Sequence, residues 1–176
     1  LENGMTLKIL FEQLKDLRKQ ISIPVLLMGY VNPMLQYGVE AFCKKAAELG
    51  VDGVIVPDLP MYEYEELYKD CFIQNNLSNI FLVTPQTSPE RIRKIDALSN
   101  GFIYLLSSSA TTGQNMNVSI EAKTYFQRVK DMKLYNPTMI GFGISDKHSF
   151  DAASQFTRGA IVGSAFVRLL GESDGM

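Results

Sequence analysis

Six short, almost wholly apolar runs recur roughly 20–37 residues apart with amphipathic segments between them, which restricts this chain to few folds. The runs lie at 23–28, 53–56, 79–83, 101–106, 138–141 and 159–162. A run this short without polar alternation reads as a strand buried on both faces. The intervening segments read as helices. Over 5–20, Leu7, Leu10, Leu14 and Leu17 recur at helical spacing among charged residues. Further helices are expected at 38–49, 61–75, 119–134 and 146–156, with a last one from Ser164. One more begins at Ser88-Pro89-Glu90, with Ser88 as N-cap and Pro89 at the first helical position. Strict strand-helix alternation with buried strands means a parallel sheet covered by helices. An open doubly wound sheet and a β/α barrel both satisfy that pattern. No Gly-x-Gly-x-x-Gly fingerprint follows the first strand, which weakens the dinucleotide-binding version.

Two glycine turns separate the alternatives. Gly141-Phe142-Gly143-Ile144-Ser145 and Ile161-Val162-Gly163-Ser164 each close an apolar run and open a helix. Backbone N–H groups freed of side chains, with a helix N-terminus behind them, hold a small anion. Two such turns on successive β/α units form the phosphate cup of a parallel barrel. A closed barrel of this type has eight strands, whereas this sequence supplies about six. The expected domain is a single incomplete barrel over 1–176, carrying strands 3–8. At 46% hydrophobic content, 176 residues can bury one sizeable core.

A formal charge of −2, with scattered Lys and Arg, argues against nucleic acid or an anionic membrane surface as the main partner. No apolar stretch approaches the ~20 residues of a membrane-spanning helix. The first residues lack the basic-then-apolar pattern of a signal peptide. Cys43 and Cys71 read as reduced thiols within helices, consistent with a cytoplasmic location. His148 is the only histidine and reads as a surface residue, so a metal site or a histidine triad has nothing to build on. The chain begins at Leu1 and ends in a polar stretch at Met176; it reads as part of something longer.

Several strings together resemble the tryptophan synthase alpha subunit family. They are Pro24-Val25-Leu26-Leu27-Met28 with Asn32-Pro33, Tyr37-Gly38-Val39-Glu40, and the run from Gly50 to Pro60 containing Val56-Pro57-Asp58-Leu59-Pro60. Ser88-Pro89-Glu90-Arg91-Ile92, Gly101-Phe102-Ile103-Tyr104-Leu105-Leu106-Ser107 and both glycine turns follow in the family's order. The resemblance implies an α/β fold, the (β/α)8 TIM barrel of the ribulose-phosphate-binding type. It implies retro-aldol cleavage of indole-3-glycerol phosphate to indole and glyceraldehyde 3-phosphate, a lyase step of tryptophan biosynthesis. It further implies a beta-subunit partner in an alpha2-beta2 heterotetramer. Pyridoxal phosphate belongs to that beta subunit, so no cofactor is expected here.

The same resemblance assigns residues. Gly113, Gly141, Phe142, Gly143, Gly163 and Ser164 match the phosphate-binding positions. Leu27, Ile55 and Leu82 match the indole pocket, and Tyr104 a position beside the catalytic Glu. Thr112 sits in a long polar loop over 107–118 that reads as a lid, where the family's threonine meets the catalytic Asp; Ala110 replaces a family glycine. Asn32, Pro33, Pro57, Asp58 and Pro60 match loops facing the beta subunit, the first running from Asn32 and Pro33 through the following turn to Tyr37, and Asp58 lending its own loop rigidity. The family's acid–base pair, a Glu on the second strand and an Asp just after it, is expected upstream of Leu1. The segment alone is therefore expected to be inactive, and aggregation-prone at its edge strands, 23–28 and 159–163. The alternatives are a non-catalytic phosphate-binding subunit that activates a partner, and another phosphate-binding barrel such as an isomerase of histidine biosynthesis.

Overall fold

The computed structural model describes residues 4–106, 120–141 and 143–173. The chain divides into two compact units, Leu1–Phe81 and Leu82–Met176. Both follow the alternation expected from the apolar runs, and every strand pairing in both is parallel.

The first unit contains α1 (Leu7–Gln13), α2 (Leu17–Gln20), β1 (Leu26–Met28), α3 (Val31–Tyr37), α4 (Val39–Glu48) and β2 (Gly53–Ile55). It continues with α5 (Met61–Glu63), a π-helical turn at Tyr64–Tyr68, α6 (Lys69–Gln74) and β3 (Ser78–Ile80). The sheet runs β1-β2-β3, with Leu26, Gly53 and Ser78 in register. Phe42, Ala46, Val54, Phe72, Leu77 and Ile80 form its core.

Two expectations fail here for local reasons. The single helix over 5–20 is broken between α1 and α2. Thr6 Oγ1 caps α1 by accepting from Ile9 N at 3.2 Å, and the chain turns at Leu14 so that Arg18 can serve the strand ends. The Arg18 guanidinium donates to Gly50 O at 2.8 Å and Ile23 O at 2.7 Å, and pairs with the Asp52 carboxylate. These long-range acceptors outweigh the local helical pattern. The first strand is also shorter than its apolar run and only half-buried: Ile23 is 69% exposed and Met28 56%.

The second unit contains β4 (Leu82–Val83), α7 (Pro89–Leu98), β5 (Ile103–Leu106), α8 (Ile120–Asp131), β6 (Thr138–Gly141), α9 (Lys147–Ser154), β7 (Gly159–Ile161) and α10 (Ser164–Ser173). Its sheet runs β4-β5-β6-β7. The expected strand over 79–83 is thus two strands, because the chain changes pairing partner at Phe81: β3 pairs with β2, β4 with β5. Ser88 caps α7 as expected, its Oγ accepting from Arg91 N at 3.3 Å with Pro89 in the first turn. Ile92, Ile95, Ile103, Phe126, Val129 and Ile140 pack the core. The buried Tyr125 hydroxyl is satisfied by donating to Val83 O at 2.9 Å.

Asp96 at the end of α7 secures the turn that feeds β6. Its carboxylate accepts from Tyr135 N at 2.8 Å and Asn136 N at 2.9 Å, and from Asn136 Nδ2 at 3.0 Å. Burial pushes the Asp96 carboxyl up, but the donors from Asn136 and Tyr135 outweigh it and hold the pKa below its ordinary value. A lowered folded pKa stabilises the fold above the ordinary carboxylate range and loses that stabilisation as pH falls. Asp96→Ala strands several donors, Asn136 being buried, and is expected to cost about 2–3 kcal/mol at neutral pH. In urea melts the gap from the parent should narrow below about pH 4. A gap independent of pH would show that the charge is irrelevant.

Candidate functional site

The register of the second sheet brings both glycine turns to one place. Leu106, Gly141 and Ile161 are paired partners across β5, β6 and β7. The C-terminal ends of β5, β6 and β7 therefore lie side by side at one edge of the sheet. Gly141-Phe142-Gly143 leaves β6, and Val162-Gly163-Ser164 leaves β7. Gly143 adopts φ +78°, a left-handed conformation that glycine takes without the Cβ penalty, so the first turn requires it. Gly163 O accepts from Val167 N at 3.1 Å, which makes Gly163 the N-cap of α10 and Ser164 its first helical residue. Gly163 and Ser164 are both exposed, and the first turn of a helix offers N–H groups that have no intrahelical partner.

A capping box holds the first turn to the helix behind it. Asp146 Oδ1 accepts from Ser149 N at 2.8 Å, and Ser149 Oγ accepts from Ser145 N and Asp146 N at 3.1 Å each. Ser149 is buried and positions the 141–145 turn, a role the sequence reading passed over. Its signal was present in the spacing Asp146-Lys147-His148-Ser149, a cap residue followed three positions later by a reciprocal partner. His148 lies exposed beside it, as expected.

Tyr104 stands next to this edge. It pairs in register with Met139, two residues before Gly141, and is 5% exposed. Burial raises its phenol pKa, so the hydroxyl stays protonated at neutral pH. A Cβ built on Gly141 would overlap the Tyr104 ring. The ring thus occupies space that any other residue at 141 would need. The first turn therefore uses glycine twice, for close approach at 141 and for a positive φ at 143.

The other expected positions fall as follows. Leu27 lies in β1 and Ile55 at the end of β2 in the first unit, half-buried and buried respectively; Leu82, half-buried, opens β4 in the second. Asn32, Pro33, Pro57, Asp58 and Pro60 are all exposed. The first two are not in a loop, as expected, but in the opening turn of α3. Proline is tolerated there because first-turn N–H groups have no intrahelical partner. Asp58 Oδ1 accepts from Val31 N at 2.9 Å, supplying a cap from 27 residues away. That bond joins the segments after β1 and β2 that carry the five positions. Thr112, Gly113 and Phe142 lie outside the described residues, as does the loop over 107–118.

A cleft of about 340 Å³ opens among Lys130, Asn136, Thr138, Gln155 and Arg158. Thr138 begins β6, so this cleft lies at the opposite end of the strands from the glycine turns. Among the described residues no group of three or more His, Cys, Asp or Glu could hold a metal ion. Nor is any helix among them long and apolar enough to cross a membrane.

Comparison with known proteins identifies the family. The family model described as tryptophan synthase alpha chain matches residues 1–175. The tryptophan synthase alpha chain of Flavobacterium psychrophilum is 56% identical over 173 residues, covering 98% of this chain and 68% of its own length. That of Phocaeicola vulgatus is 54% identical over 175 residues, covering 99% and 68%. The tryptophan synthase A-subunit of the hyperthermophile Pyrococcus furiosus superposes with a TM-score of 0.84 at 34% identity, covering 97% of this chain and 68% of that one. A structure of the tryptophan synthase a2b2 complex from the same organism gives a TM-score of 0.85 at 34% identity, with the same coverage.

Proposed function

The chain belongs to the tryptophan synthase alpha chain family, and from that premise we propose that it acts in the retro-aldol cleavage of indole-3-glycerol phosphate. The fold is the family's β/α barrel type, and the activity is that of a lyase in tryptophan biosynthesis. The alignment of Gly141 and Ile161 in adjacent strands, which sets two phosphate turns beside each other, supports this reading above all.

In this reading the phosphate of the substrate sits between the two turns. Backbone N–H groups after Gly141 and at the start of α10 donate to its oxygens, as does the Ser164 hydroxyl. By the family pattern we also assign Gly113 and Phe142 to the phosphate site. Anchoring the phosphate leaves the glycerol carbons and the indole ring to extend over the strand ends. Tyr104, protonated and buried, stands beside the reacting end. By the family pattern we assign Leu27, Ile55 and Leu82 to indole recognition and give Thr112 a supporting role toward the catalytic Asp. Cleavage needs one group to protonate the indole carbon and another to take the glycerol hydroxyl proton. We assign both to the family's Glu and Asp, upstream of Leu1. The chain needs no cofactor of its own and works in the cytoplasm with a pyridoxal-phosphate-dependent beta subunit. Asn32, Pro33, Pro57, Asp58 and Pro60 form part of the face toward that subunit.

Indole release separates this reading from a non-catalytic one. Residues 1–176 should bind glyceraldehyde 3-phosphate yet release no indole above background from indole-3-glycerol phosphate. A form extended upstream through the Glu-bearing strand should release it. Equal release by both would place the acid–base pair within 1–176 and overturn the assignment. Release by neither, with the ligand bound, would favour the non-catalytic subunit.

A further inference from the structure

The turn that follows β4 is held from outside its own segment. Strand β4 is two residues long and pairs through Leu82 with Tyr104 and through Val83 with Leu105. So short a ladder fixes the strand end only weakly. Beyond it, Thr84-Pro85-Gln86-Thr87 closes a β-turn, with Thr87 N donating to Thr84 O at 3.0 Å and Pro85 at the second position. Thr87 Oγ1 accepts from Thr84 N at 3.0 Å and lies 3.2 Å from Thr84 Oγ1. The turn is therefore stiff in itself, but these internal bonds do not use the carbonyls of Val83, Pro85 and Thr87.

Helix α8 takes all three. The buried Tyr125 hydroxyl donates to Val83 O at 2.9 Å, and Arg128 Nη2 donates to Pro85 O at 3.0 Å and Thr87 O at 3.3 Å. Tyr125 and Arg128 stand three apart on one face of the helix, and the guanidinium lies over the Tyr125 ring, 5.7 Å from its centroid. Phe126 and Val129 seat the helix in the core. Arg128 Nε is buried with no hydrogen-bond partner among the described residues. A buried donor left unpaired is unfavourable, so the guanidinium meets the turn at the expense of its own hydrogen bonding. Burial raises the Tyr125 phenol pKa against the opposing charge of Arg128, and the hydroxyl remains a donor at neutral pH.

The register sets what this tie controls. Leu82 is the cross-strand partner of Tyr104, and Leu106, two residues after Tyr104, aligns with Gly141. The end of β4 thus lies at the same sheet edge as the first glycine turn, with β5 between them. We propose that Tyr125 and Arg128 are positioning residues for the indole end of the substrate: by holding the three carbonyls that follow Leu82, they set where Leu82 stands against Tyr104. These roles rest on the lyase reading, which assigns Leu82 to indole recognition. Neither residue touches the substrate. Release of the turn shifts Leu82 relative to β5, whereas β6 and β7, which carry the glycine turns, keep their own pairing. The indole end should therefore suffer and the phosphate end should not.

The reverse condensation of indole with glyceraldehyde 3-phosphate reads the two ends separately, because each substrate has its own KM. The enzyme is the form extended upstream through the Glu-bearing strand. Tyr125→Phe deletes one oxygen and frees Val83 O; Arg128→Met keeps most of the stem and frees Pro85 O and Thr87 O. In both, KM for indole should rise about fivefold or more, the order of one lost hydrogen bond. KM for glyceraldehyde 3-phosphate and kcat should stay within about twofold of the parent. Arg128→Lys, which restores a donor, should recover part of the loss. Val129→Ala loosens α8 in the core without touching the turn, and should leave both KM values unchanged. The proposal is overturned if both KM values rise together, if neither moves, or if Val129→Ala reproduces the indole effect. A parent that condenses no indole overturns the lyase reading itself, and these roles with it, before any variant is compared. Tyr125→Phe is the mildest change, so its result decides the matter should Arg128→Met fail to fold.

Discussion

Gly141→Ala should weaken the fold and the grip on phosphate together, and removal of the Tyr104 ring should relieve part of the damage. The added methyl overlaps the Tyr104 ring, which is packed in a nearly fully buried site between β5 and β6. Either the ring moves off its position or the strands separate, and overpacking of this kind costs about 1–3 kcal/mol. Separation at Gly141 also displaces the turn that leaves it, so binding of glyceraldehyde 3-phosphate should fall at least about tenfold, the equivalent of 1.4 kcal/mol. Tyr104→Ala alone should cost about 3–5 kcal/mol through the cavity it leaves. In the double variant the clash no longer exists, so the two losses should fall short of their sum by about the whole cost of Gly141→Ala. Thermal melts of the parent, both single variants and the double variant measure that shortfall. Additive losses would show that the ring and the glycine do not share one space.

Neither half of that pair could be connected from the sequence. Tyr104 and Gly141 stand 37 residues apart, and only the register of β5 against β6 makes them neighbours. What the sequence did carry was local. Six apolar runs announced parallel strands, and Ser88-Pro89 announced a helix start, because a cap is a contact between residues three apart. Helix α3 escaped for the opposite reason. Its opening residues include Pro33, and part of its N-terminus is satisfied by Asp58 from another segment, so nothing within 31–37 marks a start. The break after Leu14 is likewise dictated by Arg18 reaching Gly50, Ile23 and Asp52. The glycine turns were legible as a site since chemistry, more than packing, demands them. The π turn before α6, by contrast, has no spacing signature.

Gly163→Asp should separate binding from folding where Gly141→Ala cannot. Among the described residues a Cβ at Gly163 meets no atom within 4 Å, and its φ lies outside the left-handed range. The substitution is therefore unstrained. Aspartate is also a better N-cap than glycine by a few tenths of a kcal/mol, and its charge suits the helix dipole. The melting temperature of Gly163→Asp should accordingly stay level or rise slightly. Its carboxylate, however, enters the seat assigned to the phosphate. Two like charges 4 Å apart repel by about 4 kcal/mol at an effective dielectric of 20, roughly a thousandfold in affinity. Solvent at this exposed turn screens part of that, so a loss of about a hundredfold or more is the expected reading for glyceraldehyde 3-phosphate. Added salt should recover some of it, whereas a steric loss would be indifferent to salt. Gly163→Ala supplies the control, with the same Cβ and no charge, and should bind within a few-fold of the parent. If aspartate and alanine weaken binding equally, the turn excludes bulk rather than receiving an anion. If aspartate leaves binding intact in a stable fold, the phosphate sits elsewhere, and the pairing of Gly141 with Ile161 is a structural feature of the sheet alone.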